Sequence, residues 1–399
     1  MRSSPRIETT ILTGGFDRPY AYGLTKALLG QGIILEVIGS DELDCQELRS
    51  LANLRFLNFY GDRSARASRT RKVSRVLSFY ARLVRYVTNA KPRIFHILWN
   101  SKFQYFDRTL LMLYYKLLGK RLVFTAHNVN AGKRDRQDSV LNRLTLQAQY
   151  RLVDHIFVHT AKMKDELKAD FRVNDDKVTV IPFGINDSVP STAMTSADAK
   201  RKLGLRNEDK AILFYGAIRP YKGLEYLVAA LQQLKGKQYN YRLIIAGEPK
   251  RGAEEYWPQI QQTIASDSNL SETIQRIEFI PDEETELYFK AADVTVLPYT
   301  LVFQSGVLFL AYSFGLPAIA SDVGSFNEDI VEGQTGTVFR ECDSADLAQA
   351  IERYFRSDLY KELERRRPQI KSFATERNSW EVVGKLTQDV YQKLLENSQ

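Results

Sequence analysis

The feature that most constrains this chain is the alternation of short apolar runs with longer segments of helical periodicity. Strands that alternate with helices predict βαβ units and parallel sheets. In the first half the predicted strands are 33–38, 94–98, 122–125, 155–158 and 178–181. In the second half they are 211–215, 241–246, 277–280, 294–297, 318–321 and 337–339.

The chain has 399 residues, too many for one ordinary core, so we expect two domains. The pattern weakens near 184–196, which we take as the linker. The interpretation is a doubly wound, Rossmann-like domain at 1–190, a second at 191–378, and an amphipathic closing helix at 379–399. Two such domains are expected to face a central cleft, because ligands bind at the carboxyl ends of parallel strands.

Composition narrows the class of protein. Apolar residues make up 44% and charged residues 26%, which is typical of a globular chain. No run of 18 apolar residues occurs, so no transmembrane helix is expected. Cys45 and Cys342 lie far apart, which favours reduced thiols and a cytoplasmic location. Four histidines without paired spacing argue against a metal site.

The positive charge is unevenly distributed. Residues 1–190 hold 31 Lys/Arg against 18 Asp/Glu, whereas residues 191–399 hold 25 against 30. Between residues 63 and 106 there are eleven Lys/Arg and no acidic residue, with apolar residues at helical spacing. This is either a helix packed on the sheet with a solvated basic face, or a surface for anionic lipid or a lipid-diphosphate acceptor. Attraction to such an anionic surface is expected mainly from a loop at 63–72, whose basic residues are Arg63, Arg66, Arg69, Arg71 and Lys72.

Two segments of the second half carry candidate chemistry. In 213–227 a strand, a turn and a helix follow one another, with Gly216, Arg219 and Lys222 in the turn. Two cations beside a helix N-terminus suit a diphosphate leaving group, although a solvated basic turn is the simpler alternative. In 297–321 a helix is expected to open at Ser305-Gly306-Val307 and to end at residue 313. Ser305 suits the N-cap and Gly306 close approach to a phosphate, although an ordinary capped helix is again the alternative.

The order and spacing of these segments resemble the family 4 glycosyltransferases, which have the GT-B fold. Residues 216–223 are similar to that family's Gly-(x)-Arg-(x)-Lys-Gly loop, and 293–298 to the strand before its phosphate-binding helix. The resemblance covers most of 180–385 and extends more loosely to the N-terminal half. It implies transfer of a sugar from a nucleotide-diphosphate donor with retention of configuration, without a metal or other cofactor. It also implies that the closing helix crosses back to the N-terminal domain.

The resemblance assigns roles to particular residues. Arg219 and Lys222 would hold the donor diphosphate, and Gly306 and Val307 would add backbone N–H contacts. Gly14 and Gly15 would give the donor room, although a tight turn also explains them. His127, at the end of a predicted strand, would contact the transferred sugar; a buried histidine bonded to backbone is the alternative.

This sequence departs from the family at two glutamates that normally lie eight residues apart. Counted back from Pro317, the second falls at Leu310, which cannot bind a ribose, and the first is nearest Gln304. Gln304 can still hydrogen-bond a sugar hydroxyl, and Glu328 is the next carboxylate to consider, as a donor contact or as a structural cap. Asn100, or alternatively Trp99, is expected to line the acceptor side, and His96 to be structural.

The sequence therefore predicts a retaining glycosyltransferase that works on a glycan or lipid-linked acceptor. We expect it to act in the synthesis of cell-surface polysaccharide or glycolipid, in the cytoplasm or on the inner face of the membrane. No nucleic-acid module is recognisable. A catalytically degenerate nucleotide-sugar or glycan-binding protein is the alternative that Leu310 supports. A phosphate-binding α/β enzyme such as an epimerase is a third.

Overall fold

The computed structural model describes residues 7–15, 18–62, 69–134, 138–185, 189–236, 239–250 and 252–396, with backbone only for Arg69 and Arg134. The chain divides into two compact units. Unit 1 comprises Met1–Gly184 and Asn378–Gln399, and unit 2 comprises Ile185–Arg377. The division therefore lies a few residues before the predicted boundary at 190.

Unit 1 contains a parallel sheet of seven strands in the order β3-β2-β1-β4-β5-β6-β7. The strands are β1 (Glu8–Leu12), β2 (Ile34–Gly39), β3 (Leu54–Asn58), β4 (Ile94–Ile97), β5 (Arg121–Thr125), β6 (His155–Val158) and β7 (Val178–Val180). The chain builds outward from β1 to one edge and then returns to build outward from β4. The strand order thus reverses between β1 and β4, where doubly wound sheets bind their ligands.

The helices of unit 1 connect these strands. They are α1 (Arg18–Gly30), α2 (Gln46–Ser50), α3 (Arg69–Asn89), α4 (Gln104–Phe106), α5 (Met112–Leu117), α6 (Ala131–Arg134), α7 (Val140–Leu152) and α8 (Ala161–Phe171). A π-helical turn, Asp107–Leu111, joins α4 to α5. No described helix is both long enough and apolar enough to cross a membrane.

Unit 2 repeats the plan with six parallel strands in the order β10-β9-β8-β11-β12-β13. Its strands are β8 (Lys210–Tyr215), β9 (Tyr241–Ala246), β10 (Ile274–Arg276), β11 (Val294–Leu297), β12 (Ala318–Ser321) and β13 (Gly336–Phe339). Its helices are α9 (Ser196–Lys202), α10 (Leu224–Gln233), α11 (Tyr256–Ser266), α12 (Asp282–Ala291), α13 (Gly306–Ser313), α14 (Phe326–Asp329), α15 (Ser344–Arg356), α16 (Asp358–Lys361) and α17 (Leu363–Arg377). Here the strand order reverses between β8 and β11.

The last helix, α18 (Trp380–Glu396), belongs to unit 1 and packs on α1. The Trp380 ring occupies the space in which a Cβ on Gly23 or Gly184 would lie, so both positions must be glycine for the indole to seat. The Tyr391 hydroxyl lies 2.7 Å from Nδ1 of His96 on β4. These contacts confirm that the closing helix returns to the N-terminal domain.

One predicted strand is wrong. The apolar run 277–280 is not a strand; β10 instead spans Ile274–Arg276 and pairs only with the end of β9. It is a short edge strand whose side chains are partly or fully exposed, so its sequence lacks the apolar run of a strand buried on both faces. β1 (Glu8–Leu12) and β3 (Leu54–Asn58) were not among the predicted strands. Like β10, β3 is an edge strand that is only partly buried.

Candidate functional site

In unit 2 the turn after β8 and the turn after β11 meet at the point where the strand order reverses. Gly223 has φ +65°, and a Cβ there would collide with the carbonyl oxygen of Pro298. The Thr300 N–H donates to the Tyr221 carbonyl at 2.8 Å. Glycine at 223 is therefore required both by its left-handed backbone and by the contact between the turns.

Lys222 is buried, at 7% exposed, where these turns meet. A Cβ on Gly216 would lie 3.2 Å from Lys222 Nζ and 3.6 Å from Val307 Cγ2. The Nζ atom lies 5.3 Å from the ring centroid of Tyr299, within range of a cation–π contact. The structure thus brings Gly216, Lys222 and Val307 together from two motifs that are distant in sequence.

The Lys222 ammonium has no matching anion in the part of the chain that the structure describes, where it forms no ion pair. Burial lowers its pKa and the nearby Arg219 guanidinium lowers it too, while Tyr221 opposes the shift. Lys200 shows the contrast: it is equally buried, but its Nζ lies 2.9 Å from Oδ2 of Asp293. A buried cation without a partner is costly, and a bound anion would relieve that cost.

Helix α13 begins at Gly306, as predicted, but the predicted capping by Ser305 is wrong. Ser305 stands at the N-cap position, yet its side chain accepts no hydrogen bond from the helix. It lies instead beside Tyr299, whose pKa burial raises to about 12 and the Ser305 side chain lowers in part. The first N–H groups of an α-helix have no partner within the helix, so those of Gly306 and Val307 are left for another acceptor.

The carboxylate beside Gln304 is not the one that the sequence singled out. Glu328 is exposed. Asp329 instead accepts a hydrogen bond from the Ser325 hydroxyl, and burial raises its pKa to about 6 although that bond and the nearby Gln304 side chain lower it. Oε1 of Gln304 is buried, and no described residue hydrogen-bonds to it, so a ligand hydroxyl could do so. Leu310 packs in the apolar core of unit 2.

In unit 1 the first βα turn is shaped by an aromatic contact. Gly14 has φ +62°, and a Cβ there would lie 2.6 Å from Cβ of Trp99, which follows β4. Gly14 is therefore required by the packing of two neighbouring turns, whether or not a ligand is present. Gly15 also has a left-handed backbone, with φ +73°.

His127, after β5, lies in an aromatic cluster. Its ring stacks on Trp99 with centroids 4.1 Å apart, and Tyr20 approaches it edge-on at 4.5 Å. His127 Nδ1 lies 3.1 Å from Nε2 of His159, whose Nδ1 lies 3.3 Å from the Ile181 carbonyl oxygen. The partner of His127 is thus a second histidine, and not the backbone as the simpler alternative supposed.

This chain of contacts fixes the tautomers of both rings. Burial lowers the pKa of His127 well below its ordinary value and that of His159 to about 4, so both rings are neutral near pH 7. A carbonyl oxygen can only accept, so His159 donates from Nδ1 and accepts at Nε2, and His127 donates from Nδ1. The lone pair on His127 Nε2 remains, buried and without a partner among the described residues. His127 can accept a hydrogen bond from a hydroxyl group, but it is not protonated to act as an acid.

The remaining predicted residues are distributed as follows. Asn100 donates to Gln149 Oε1 at 3.0 Å. Both ring nitrogens of His96 are engaged, by Tyr391 and by Thr125, as expected of a structural histidine. Arg63 and Arg66 lie outside the described residues.

The placement of the other basic candidates in a loop is wrong. Helix α3 begins at Arg69, so Arg71 and Lys72 lie in its first turn. The apolar residues at helical spacing begin at Val73, and the helix extends one turn before them.

A polar cavity of about 620 Å³ in unit 1 is a different site. It is lined by Arg151, His155, Lys177 and other residues at the amino-terminal ends of β6 and β7. The Lys177 ammonium donates to the carbonyl oxygens of Tyr150 and Arg151. Doubly wound sheets bind ligands at the opposite ends of their strands, so we give this cavity no part in the candidate site.

Comparison with protein families identifies both halves of the chain. A family described as Glycosyltransferase Family 4 matches residues 19–189, and one described as Glycosyl transferases group 1 matches residues 195–373. The chain carries the two domains of a family 4 glycosyltransferase. The strand-end clusters described above lie one in each matched domain.

Solved structures share the fold along nearly the whole chain. A sucrose-phosphate synthase from Thermosynechococcus elongatus has a TM-score of 0.75 at 19% identity, covering 98% of this chain and 100% of that one. HepE from Anabaena in complex with UDP-glucose has a TM-score of 0.73 at 14% identity, covering 97% and 100%. The two-sheet architecture is the GT-B fold.

Curated relatives match over a shorter stretch. The D-inositol 3-phosphate glycosyltransferase of Corynebacterium diphtheriae is 26% identical over 249 residues, covering 59% of this chain and 57% of that protein. The protein of the same name from Stackebrandtia nassauensis is 28% identical over 207 residues, covering 50% and 46%. The matches thus span about half the length of these relatives.

The unmatched charge at Lys222 makes a prediction about stability. Replacing Lys222 with Met should raise the free energy of unfolding by about 1–2 kcal/mol, because it removes a buried charge that has no partner. Replacing the paired Lys200 with Met should lower it by about 3–5 kcal/mol, because Asp293 is left buried alone. Calorimetric unfolding of the ligand-free protein measures both. A Lys222→Met variant that unfolds more easily than the wild type would show that the Lys222 ammonium stabilises the ligand-free protein, and would contradict the prediction.

The histidine pair makes a prediction about tautomers. In the wild type, long-range ¹H–¹⁵N correlation spectra should show the proton of His127 on Nδ1 and none on Nε2. His159→Gln should preserve this, because its amide oxygen can take the place of the accepting nitrogen, whereas His159→Leu should let the proton move to Nε2. A proton on Nε2 of His127 in the wild type would show that His127 accepts at Nδ1 from His159, which contradicts the assigned tautomers.

Proposed function

We propose that this protein is a retaining glycosyltransferase that transfers a sugar from a nucleoside-diphosphate sugar to a glycan or lipid-linked acceptor. The observation that carries the proposal is the buried Lys222 ammonium, which has no ion-pair partner among the described residues and lies beside Gly216 and the start of α13. A diphosphate would supply the missing negative charge. Two of the solved structures with this fold were determined with UDP or UDP-glucose bound, which supports a nucleotide-sugar donor.

The proposed mechanism uses charge stabilisation without a metal. As the bond from the sugar to the diphosphate breaks, negative charge grows on the leaving phosphate. Arg219, Lys222 and the N–H groups of Gly306 and Val307 would stabilise that charge. The acceptor hydroxyl attacks on the face that the diphosphate leaves, and a phosphate oxygen receives its proton. Attack on this face retains the anomeric configuration.

The other predicted residues would orient the donor and the sugar. Gly14, Gly15, Gly216, Gln304, Ser305 and Glu328 remain our proposed donor contacts, with the unpaired Oε1 of Gln304 available to a hydroxyl group. His127 would accept a hydrogen bond from a hydroxyl of the transferred sugar through its free Nε2. Asn100 would contact the acceptor. We take glycosyl transfer from the curated relatives but not their inositol phosphate acceptor, because the matches cover only about half their length.

We further propose that the reaction takes place on the inner face of the membrane, in the synthesis of cell-surface polysaccharide or glycolipid. Both cysteines are free, which supports a reducing compartment. The excess of Lys/Arg in residues 1–190 would favour an anionic surface that carries a lipid-linked acceptor.

Nucleotide binding tests the donor site. In isothermal titrations of UDP, GDP, ADP and CDP, we expect the wild type to bind one of them selectively and an Arg219→Ala, Lys222→Ala variant to lose that binding. Lys371→Ala, an exposed lysine of α17, is the matched control and should bind as the wild type does. Because the lowered pKa of Lys222 would deprotonate it earlier than an ordinary lysine, affinity should fall as the pH rises through that pKa. No binding by the wild type would indicate a degenerate, non-catalytic scaffold, with Leu310 as the reason.

Turnover and product stereochemistry test the chemistry. Lys222→Ala alone should slow sugar transfer by on the order of 10²–10³, the cost of losing one charge-stabilising group. Product analysis by NMR should show the donor's anomeric configuration. An inverted product would overturn the mechanism, and nucleotide binding without any release of sugar would favour a binding protein.

A further inference from the structure

A stripe of exposed apolar side chains runs along one helix of unit 1. Helix α4, the π-helical turn and α5 form one continuous segment from Gln104 to Leu117. Leu110, Leu113 and Leu117 recur at spacings of three and four, which places them on one face of the helix. They are 62%, 44% and 77% exposed, and Phe103 and Phe106 extend the stripe at its start. Leucines on a soluble surface are ordinary singly but not as a continuous row.

A second group of exposed apolar residues lies on the neighbouring helix α7. Helix α7 begins with Val140, Leu141 and Leu144, which are 76%, 54% and 59% exposed. Helix α7 packs along the π-helical turn, where Arg108 donates to Asn142 Oδ1 at 2.8 Å. We call the six aliphatic residues of the two helices the apolar ridge: Leu110, Leu113, Leu117, Val140, Leu141 and Leu144.

Helix α3 flanks the other side of the segment and adds a basic border. Tyr80 stacks on Phe103 and donates to Asp107, and the Thr88 and Tyr114 side chains are hydrogen-bonded, so the two helices lie side by side. The expectation that the apolar residues of this helix pack on the sheet is only partly right. Phe79, Leu83 and Val87 are buried, but a second stripe remains exposed: Val73, Leu77 and Val84.

The exposed charges of α3 and of the segment 104–117 are of one sign. Arg71, Arg82 and Arg85 are exposed on α3. Asp107 is the only acidic residue between residues 63 and 134, and it is buried, at 4% exposed. Among the described residues, α3 and the segment 104–117 therefore carry exposed cations and no exposed carboxylate, and at the start of α7 the Asp138 carboxylate is paired with Arg143.

We propose that this face docks on an anionic lipid bilayer, with the apolar ridge inserted at the boundary of headgroups and acyl chains and the arginines of α3 over the headgroups. Aliphatic side chains beside a cationic stripe suit such an interface. A second copy of this chain complements this face less well, because its own α3 and segment 104–117 offer the same cations and no exposed carboxylate to meet them. The inference rests on the proposed function, in which a lipid-linked acceptor lies in that bilayer. Insertion of the apolar ridge differs from a purely electrostatic attraction, because binding through inserted apolar groups persists at high salt.

Vesicle flotation tests the proposal. The wild type should float with phosphatidylcholine–phosphatidylglycerol vesicles more strongly than with phosphatidylcholine alone, and part of the binding should remain at high salt. Leu110→Gln, Leu113→Gln, Leu117→Gln should reduce the partition coefficient at high salt at least about tenfold, since each leucine would bury several apolar carbons. Arg71→Gln, Arg82→Gln, Arg85→Gln should remove mainly the salt-sensitive part. Phe279→Gln, which removes an apolar residue of unit 2 that is 69% exposed, is the control.

Several results would overturn the proposal. The first is a wild type that binds no vesicles, and the second is a leucine variant that binds vesicles as the wild type does. The third is a wild type that binds no vesicles but forms a dimer in light scattering, with the leucine variant monomeric. Nucleotide titration of the same variants separates this inference from the proposed function. The leucine variant should bind nucleotide normally, so loss of vesicle binding alone concerns the surface. A wild type that binds vesicles but no nucleotide would instead refute the donor site and leave the surface proposal standing.

Discussion

The constraint on which both candidate clusters depend is the reversal of strand order in each parallel sheet. In unit 1 it makes β1 and β4 neighbours, and in unit 2 it makes β8 and β11 neighbours, so the turns that follow these strands are forced together. Close approach of the turns then determines the residue type. Gly14 must clear Trp99, and Gly223 must clear the Pro298 carbonyl. The same topology therefore explains glycines that local sequence alone would assign to a ligand.

At Lys222 the requirements of stability and binding oppose each other. An ammonium held away from water without an anion destabilises the free protein, and the contact with Tyr299 offsets only part of that cost. Lys200, in the same unit, shows that the fold can supply a carboxylate to a buried lysine. The difference between the two lysines is a stronger argument for an anion site than positive charge alone, because an exposed cation needs no ligand to explain it.

How far the sequence predicts this structure depends on how local each feature is. Strands such as β9 and β12 were predicted because parallel strands buried on both faces read as apolar runs, whereas the half-exposed β10 has no such run. The order and spacing of Gly216, Arg219 and Lys222 predict the turn after β8. The partner of His127, however, is His159, 32 residues away after the next strand, and no spacing rule connects the two. At 328 and 329 two adjacent carboxylates face different surroundings, because one step along a short helix turns a side chain by about 100°.

Helix α3 shows why periodicity and burial must be considered together. Its apolar residues cover too much of its circumference for one contact with a sheet to bury them all. Phe79, Leu83 and Val87 face the core, while Val73 and Leu77 remain exposed next to the arginines. Periodicity predicts the helix but not which of its two apolar faces is buried. That distinction requires the neighbouring segment 104–117, whose own leucines are exposed beside it. The exposed apolar residues on these helices identify one surface, near the cations of α3, at which the positive charge of this half can act. The net charge alone does not identify any surface.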